Sequence, residues 1–175
     1  QGPDISVIPA AALKQVEVLR DGAAAQYGSD AIAGVINFVL NDASEGGSFE
    51  ARYGSFYEGD GDMIQMSGNV GLPLSDKGFI NLSAEYRTAD DTSRSVQRAD
   101  AAALIAAGNT FVADPAQIWG SPEIKHDIKL FANAGIELSA TSEAYMFGNY
   151  AEREVEGGFY FRNPHNRGGV NDGGT

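Results

Sequence analysis

Residues 80–87 read Ile-Asn-Leu-Ser-Ala-Glu-Tyr-Arg, apolar and polar side chains exchanging at almost every step. A period of two belongs to a strand with one dry and one wet face. The pattern recurs on both sides. Upstream, Phe49, Ala51 and Tyr53 alternate with Glu50, Arg52 and Gly54; then Ile64, Met66, Gly68, Val70 and Leu72 alternate with Gln65, Ser67, Asn69 and Gly71. Downstream, Ile128, Leu130, Ala132, Ala134, Ile136 and Leu138 alternate with Lys129, Phe131, Asn133, Gly135 and Glu137. Residues 143–156 form a fifth strand, whose facing is left ambiguous by Tyr145-Met146-Phe147. Each run is close to the ~9–11 residues a tilted strand needs to cross a bilayer. Both a soluble β-sandwich and a membrane barrel answer to such strands.

The connections weigh between them. Residues 75–78 and 139–142 make tight turns, whereas 88–127 is far longer than the usual ~4–6 residues and includes a helix-prone alanine patch, 99–107, ended by Gly108. Residues 163–175 are again loop-like, with Pro164 and paired glycines. Short turns on one rim and long loops on the other are characteristic of outer-membrane barrels. In that arrangement Ile80, Leu82, Ala84, Ile128, Leu130 and Ala134 face lipid, and Asn81, Ser83, Glu85, Asn133 and Glu137 face the lumen. The turns at 75–78 and 139–142 then lie on the periplasmic rim, and residues 93–124 outside the cell.

Composition narrows the function classes. The chain has 24 acidic and 12 basic residues among 175, a net charge of −12, which argues against nucleic acid as a partner. No cysteine is present, so a disulfide framework, a zinc–cysteine site and a thiol nucleophile are excluded. Mean hydropathy is −0.22, and no apolar run approaches the ~18 residues of a membrane helix. The 22 glycines, about one residue in eight against a usual ~7%, interleaved with aromatics, Asn, Ser and acids, suit strands with one apolar and one wet face. Residues 1–7 carry no export signal.

The motifs of catalysis and ion binding are missing. Gly22 to Ser29 superficially resembles a phosphate loop, but it lacks the lysine and its glycines are one residue too far apart. Glu58, Asp60 and Asp62 open like a calcium loop, yet Met63 and Asn69 stand where glycine and glutamate are needed; a solvated hairpin tip is expected instead. His126 and His165 have no metal-ligand spacing, and no nucleophile elbow occurs. An enzyme is not expected, nor a cofactor.

The first forty residues differ in character. Pro9 opens a short turn through Leu13, residues 16–19 and 34–40 are strands, and one-turn helices are expected at 23–27 and through Ile32. Asp4-Ile5-Ser6-Val7-Ile8-Pro9, followed by VEVLRDGAAAQYGSDAIAGVINFVL at 16–40, closely resembles the end of the plug domain of TonB-dependent outer-membrane receptors. The resemblance covers about forty residues. It departs from the commoner Arg-Gly-Pro at Arg20-Asp21-Gly22-Ala23.

The resemblance implies a mainly β fold: the C-terminal part of a small α/β plug domain at 1–42, then about five antiparallel strands of an outer-membrane β-barrel with long extracellular loops at 43–175. It marks Arg20, Asp21, Gly22, Tyr27, Gly28, Ser29, Gly34 and Asn37 as plug signature residues. Glycines there meet close approach inside a lumen, and Arg20, enclosed by barrel, needs an acidic partner. Glu50, Glu85 and Glu137 are the candidates, or an acid within the plug. A plugged barrel of this kind has about 22 strands, so an internal fragment of a receptor is expected. The implied function is active uptake of a scarce nutrient (siderophore-iron, cobalamin or oligosaccharide) across the Gram-negative outer membrane. Its partners are the inner-membrane TonB complex, acting through a segment outside this chain, a small-molecule or oligosaccharide ligand, and outer-membrane lipid. The competing reading is a secreted or periplasmic β-sandwich that binds carbohydrate, which leaves 16–40 unexplained. A complete eight-stranded barrel fails on strand count.

Overall fold

The computed structural model describes residues 4–20, 27 and 34–158. Asp4 caps a 3-10 turn at Ile5–Val7 by accepting from the Ser6 amide, and a second turn, Ala10–Ala12, follows Pro9. The chain then runs into β1 (Leu13–Leu19), which pairs antiparallel with β2 (Val35–Leu40) in a two-stranded sheet. β1 starts three residues earlier than the sequence pattern indicates, because Leu13 finds a partner in Leu40. The one-turn helices expected at 23–27 and through Ile32 fall largely outside the described residues.

The remaining strands form one antiparallel sheet in chain order: β3 (Gly47–Gly54), β4 (Met63–Pro73), β5 (Gly78–Ala89), β6 (Glu123–Ser139) and β7 (Ser142–Glu156). Among the described residues the sheet is not closed; β3 and β7 are its edges. A 3-10 turn at Ser75–Lys77 joins β4 to β5, and a two-residue turn joins β6 to β7. At the opposite end lie the β3–β4 turn and the long connection 90–122, which contains α1 (Ala99–Ala106). No helix among the described residues is long and apolar enough to cross a membrane.

Register decides which side chains share a face. Ser67, Glu85 and Lys129 stand in one cross-strand row, and Asn69, Ser83 and Phe131 in the next. The adjacent rows on the other face are Gly68, Ala84, Leu130 and Tyr150, and Val70, Leu82 and Ala132. The first face is buried although polar: Asn81, Ser83, Glu85, Asp127 and Asn133 are all at most 6% exposed. The second is open although apolar, with Val70, Leu82 and Leu130 each at least 40% exposed. A soluble domain sorts its residues the other way round. Register also resolves β7: Met146 lies opposite Ala134 on the apolar face, while Tyr145 and Phe147 lie opposite Gly135 and Asn133 on the polar one. There Phe147 stacks on Phe131.

Candidate functional site

The polar face receives the N-terminal segment at an asparagine cluster. The Asn41 side chain donates to Asn69 Oδ1 (3.2 Å), and Asn69 Nδ2 reaches both Asn81 Oδ1 and Ser83 Oγ. Asn81 Nδ2 donates to the Ala43 carbonyl and Asn133 Nδ2 to the Asn41 carbonyl (2.9 Å). Three wall strands thus grip one stretch of backbone, which lies over the sheet so closely that a Cβ on Gly71 would stand 2.5 Å from the Ala43 oxygen. Glycine is required there by space alone. Pro9 and Ala12, next to this junction, are buried. These amide bonds fix a contact without net charge, although the Asn133 Oδ1 is buried and bonds nothing among the described residues.

Further along the same face the network becomes ionic. Lys129 Nζ lies 2.7 Å from Glu85 Oε1, with both side chains withdrawn from solvent, and Arg153 Nε donates to Asp127 Oδ2 at 2.9 Å. Asp4 and Ser6 face Asp127, Lys129 and Arg153 across a small cleft. The Asp4 carboxyl is held below the usual range mainly by the Ser6 side-chain and backbone donors, with a smaller contribution from those two cations.

At the far end the long connection folds onto the β3–β4 turn. Ala101 and Ala116 pack with Leu104 and Val112 into a small core of the loop's own. Its two arms are tied by Thr92 and Ser121 and by Arg94 and Trp119 backbone bonds. Arg94 then clamps the turn, bonding both oxygens of Asp60, approaching Glu58 at 3.4 Å and lying over the Phe56 ring. The turn that carries the acids at 58–62 is largely exposed, as a solvated hairpin tip would be, and within it Glu58 and Asp60 are paired with a guanidinium. The Arg94 hydrogen bonds hold the Asp60 carboxyl below the usual carboxylate range. Among the described residues no cluster of His, Asp and Glu could hold a metal ion.

The residues marked by sequence fall at several places. Arg20 follows β1, exposed, at the end of the hairpin away from the asparagine cluster. Asn37 donates to Glu17 across the hairpin, and Tyr27 is exposed. Gly34 has φ +127°, and a Cβ there would meet the Leu19 carbonyl at 2.6 Å, so only glycine fits. Asp21, Gly22, Gly28 and Ser29 lie outside the described residues. Of the three acids proposed for Arg20, Glu50 is taken by Arg52 and Glu85 by Lys129, while Glu137 is exposed on the polar face. Sequence reasoning missed Asn41 and Asn69 as contact residues and Arg94 as a clamp. The amides carried a signal, since Asn69, Asn81 and Asn133 all stand at wet positions of the alternation; Arg94, in an aperiodic stretch, carried none.

Residues 1–35 match the family model described as the TonB-dependent receptor plug domain. The vitamin B12 transporter BtuB of Photobacterium profundum is 33% identical over 90 residues, 51% of this chain and 14% of the relative. The chain thus spans a small part of the length of this curated relative. No solved structure matches it. Plug-domain sequence at 1–35 leads into an antiparallel wall whose buried face is polar and whose open face is apolar, and in both respects the chain is similar to a fragment of a TonB-dependent receptor.

Proposed function

We propose that the protein takes up a scarce small ligand across the Gram-negative outer membrane, driven by the TonB complex. Residues 1–42 form the end of the plug and 43–175 contribute barrel strands. The observation that carries this reading is the inverted sheet. An apolar face on β4–β6 is stable in hydrocarbon, where strands must also satisfy every backbone group laterally; its polar face grips the plug-like segment. The turns at 75–78 and 139–142 are periplasmic in this reading, and 93–124 is extracellular. A β-sandwich would bury the face that is open here.

The ligand classes are siderophore-iron, cobalamin and oligosaccharide, and the likeness to a vitamin B12 transporter supports cobalamin as the first to try. Arg20 is assigned to the plug–wall contact, with Glu137 the candidate acid on which no other cation is seated among the described residues. The test is uptake of labelled cobalamin and of ferric siderophores by cells carrying the full-length receptor, with and without a functional TonB complex. Energised, TonB-dependent accumulation of one ligand is expected, and Arg20→Ala is expected to change that uptake more than it changes ligand binding. TonB-independent accumulation of every ligand would refute transport by this route.

A further inference from the structure

A second feature lies on the polar face between the plug contact and the outer rim. β3, β4 and β5 end beneath the β3–β4 turn and the base of the long connection, leaving a pocket of about 420 Å³. Phe56, Met63, Pro122 and Ile124 give it apolar walls; Arg87 and Asp90 are its charged members. Arg87 is the anomaly. Among the described residues its Nε is buried with no hydrogen-bond partner, as are Gln117 Oε1 and Asn133 Oδ1 elsewhere, but Arg87 alone of the three is a cation, and no ion pair of this residue is found there. The acid directly across the strands, Asp127, is occupied by Arg153. An arginine cannot shed its proton to escape burial, and a half-buried guanidinium short of an acceptor is costly where it stands.

We propose that this pocket binds a ligand carrying a carboxylate on an apolar, ring-containing body, with Arg87 taking the carboxylate. The planar guanidinium matches a carboxylate in a two-bond fork, and Phe56 and Met63 offer the area to cover the ring. A single cation with Asp90 nearby suits one negative charge better than the two of a phosphate monoester. The pocket sits beside the loop that this reading places outside the cell, on the face that lines the lumen, so an occupant there lies on the entry route. The inference rests on the transport reading for its biological meaning, and its test is independent of energised uptake.

The experiment uses the full-length receptor in detergent micelles and three probes: 2-naphthoate, the neutral 2-naphthylmethanol and 2-naphthyl phosphate. Binding is followed by titration calorimetry and saturation-transfer NMR. The naphthoate is expected to bind about tenfold or more tightly than the alcohol, the range of a charged hydrogen-bonded pair. R87Q should erase that preference and leave the alcohol unchanged, and R87K should keep part of it. Heat-modifiable gel mobility reports whether each variant is folded; should R87Q fail to insert, Met63→Trp, which fills the pocket, is expected to exclude the naphthoate and the alcohol alike. An unchanged acid-to-alcohol ratio in folded R87Q, no naphthoate binding to the wild type, or a preference for the phosphate overturns the proposal. TonB-dependent uptake alongside any of these results leaves the transport reading standing, and naphthoate selectivity without such uptake does the reverse.

Discussion

Leu130 in the wall and Val18 in the hairpin are open to a similar degree, 48% and 58% exposed, yet they stand in opposite physical situations. Behind Leu130 lies a buried polar face knit across four strands, from Asn69 and Ser83 to the Glu85–Lys129 and Asp127–Arg153 pairs. Behind Val18 lies only a short polar edge, where Gln15 and Asn37 meet Glu17 in the open. The hairpin is thus an ordinary amphipathic pair, with Val16, Val18, Ile36 and Phe38 sharing one face. Along β5 and β6, where the polar face is already buried, the face left open is the apolar one. In the transport reading proposed above, equal exposure therefore has two meanings: the first surface is set against hydrocarbon and the second against other protein.

The contrast breaks most sharply at the buried ionic pair. Lys129→Met leaves Glu85 charged and without its partner on the polar face, and removal of one member of a buried pair costs about 3–5 kcal/mol. Urea unfolding of the full-length receptor in micelles should show that loss, and Glu85→Gln in the same chain should recover part of it. An undiminished midpoint would mean that this face is wet and that the wall is not inverted.

Next in size is a test of the solvent outside. Leu130 lies near the middle of β6, so Leu130→Arg should destabilise the folded barrel by about 2–4 kcal/mol if that point is near the midplane. Phe111, in the long connection, is 88% exposed, and Phe111→Arg should stay within about 0.5 kcal/mol. Equal, small effects at both positions would place both surfaces in water.

A smaller effect is expected at the junction of the two regions. Asn133→Ala removes the donor that holds the Asn41 carbonyl, leaving a part-buried acceptor while also removing the unbonded Asn133 Oδ1, for a net cost of about 1 kcal/mol. Hydrogen exchange in residues 41–46 should quicken while that in β5 holds. Exchange rising equally throughout would mean that the amide cluster supports the wall itself rather than the seating of the plug segment.

These expectations also mark what the sequence disclosed. The alternation in 80–87 and 128–138 announces both strands and their facing, because a strand in a two-solvent wall must sort its residues at every step. The inversion itself is invisible in the alternation, since a sandwich writes the same pattern with the faces exchanged. β7 defeats the pattern: Tyr145, Met146 and Phe147 are all apolar, and only pairing with β6 sorts them. Gly34 was legible through the plug motif. Gly71 was not, because its constraint comes from Ala43, 28 positions away in the chain and brought close only by folding. Arg87 appears in sequence as one more wet-face residue; its lack of a partner depends on where Asp127 and Arg153 are placed.

The gentlest test concerns the rim, where the long connection is fastened by exposed charge. Asp60, bonded by Arg94, has its carboxyl depressed below the ordinary value, chiefly through that hydrogen bond. A depressed folded value means the contribution is complete above the ordinary carboxylate range and is lost as pH falls through the lowered one. With both side chains partly in water, salt should weaken the clamp as well. Amide exchange in residues 90–122, corrected for its intrinsic pH dependence, is expected to rise relative to that of β5 as the receptor is taken into the acid range. Asp60→Asn should start from the faster exchange and show little further change with acid or salt. If wild type and Asp60→Asn respond alike, the loop is held by its Ala101–Ala116 core and by the Thr92–Ser121 and Arg94–Trp119 backbone bonds, and Arg94 is then an ornament of the rim rather than its fastening.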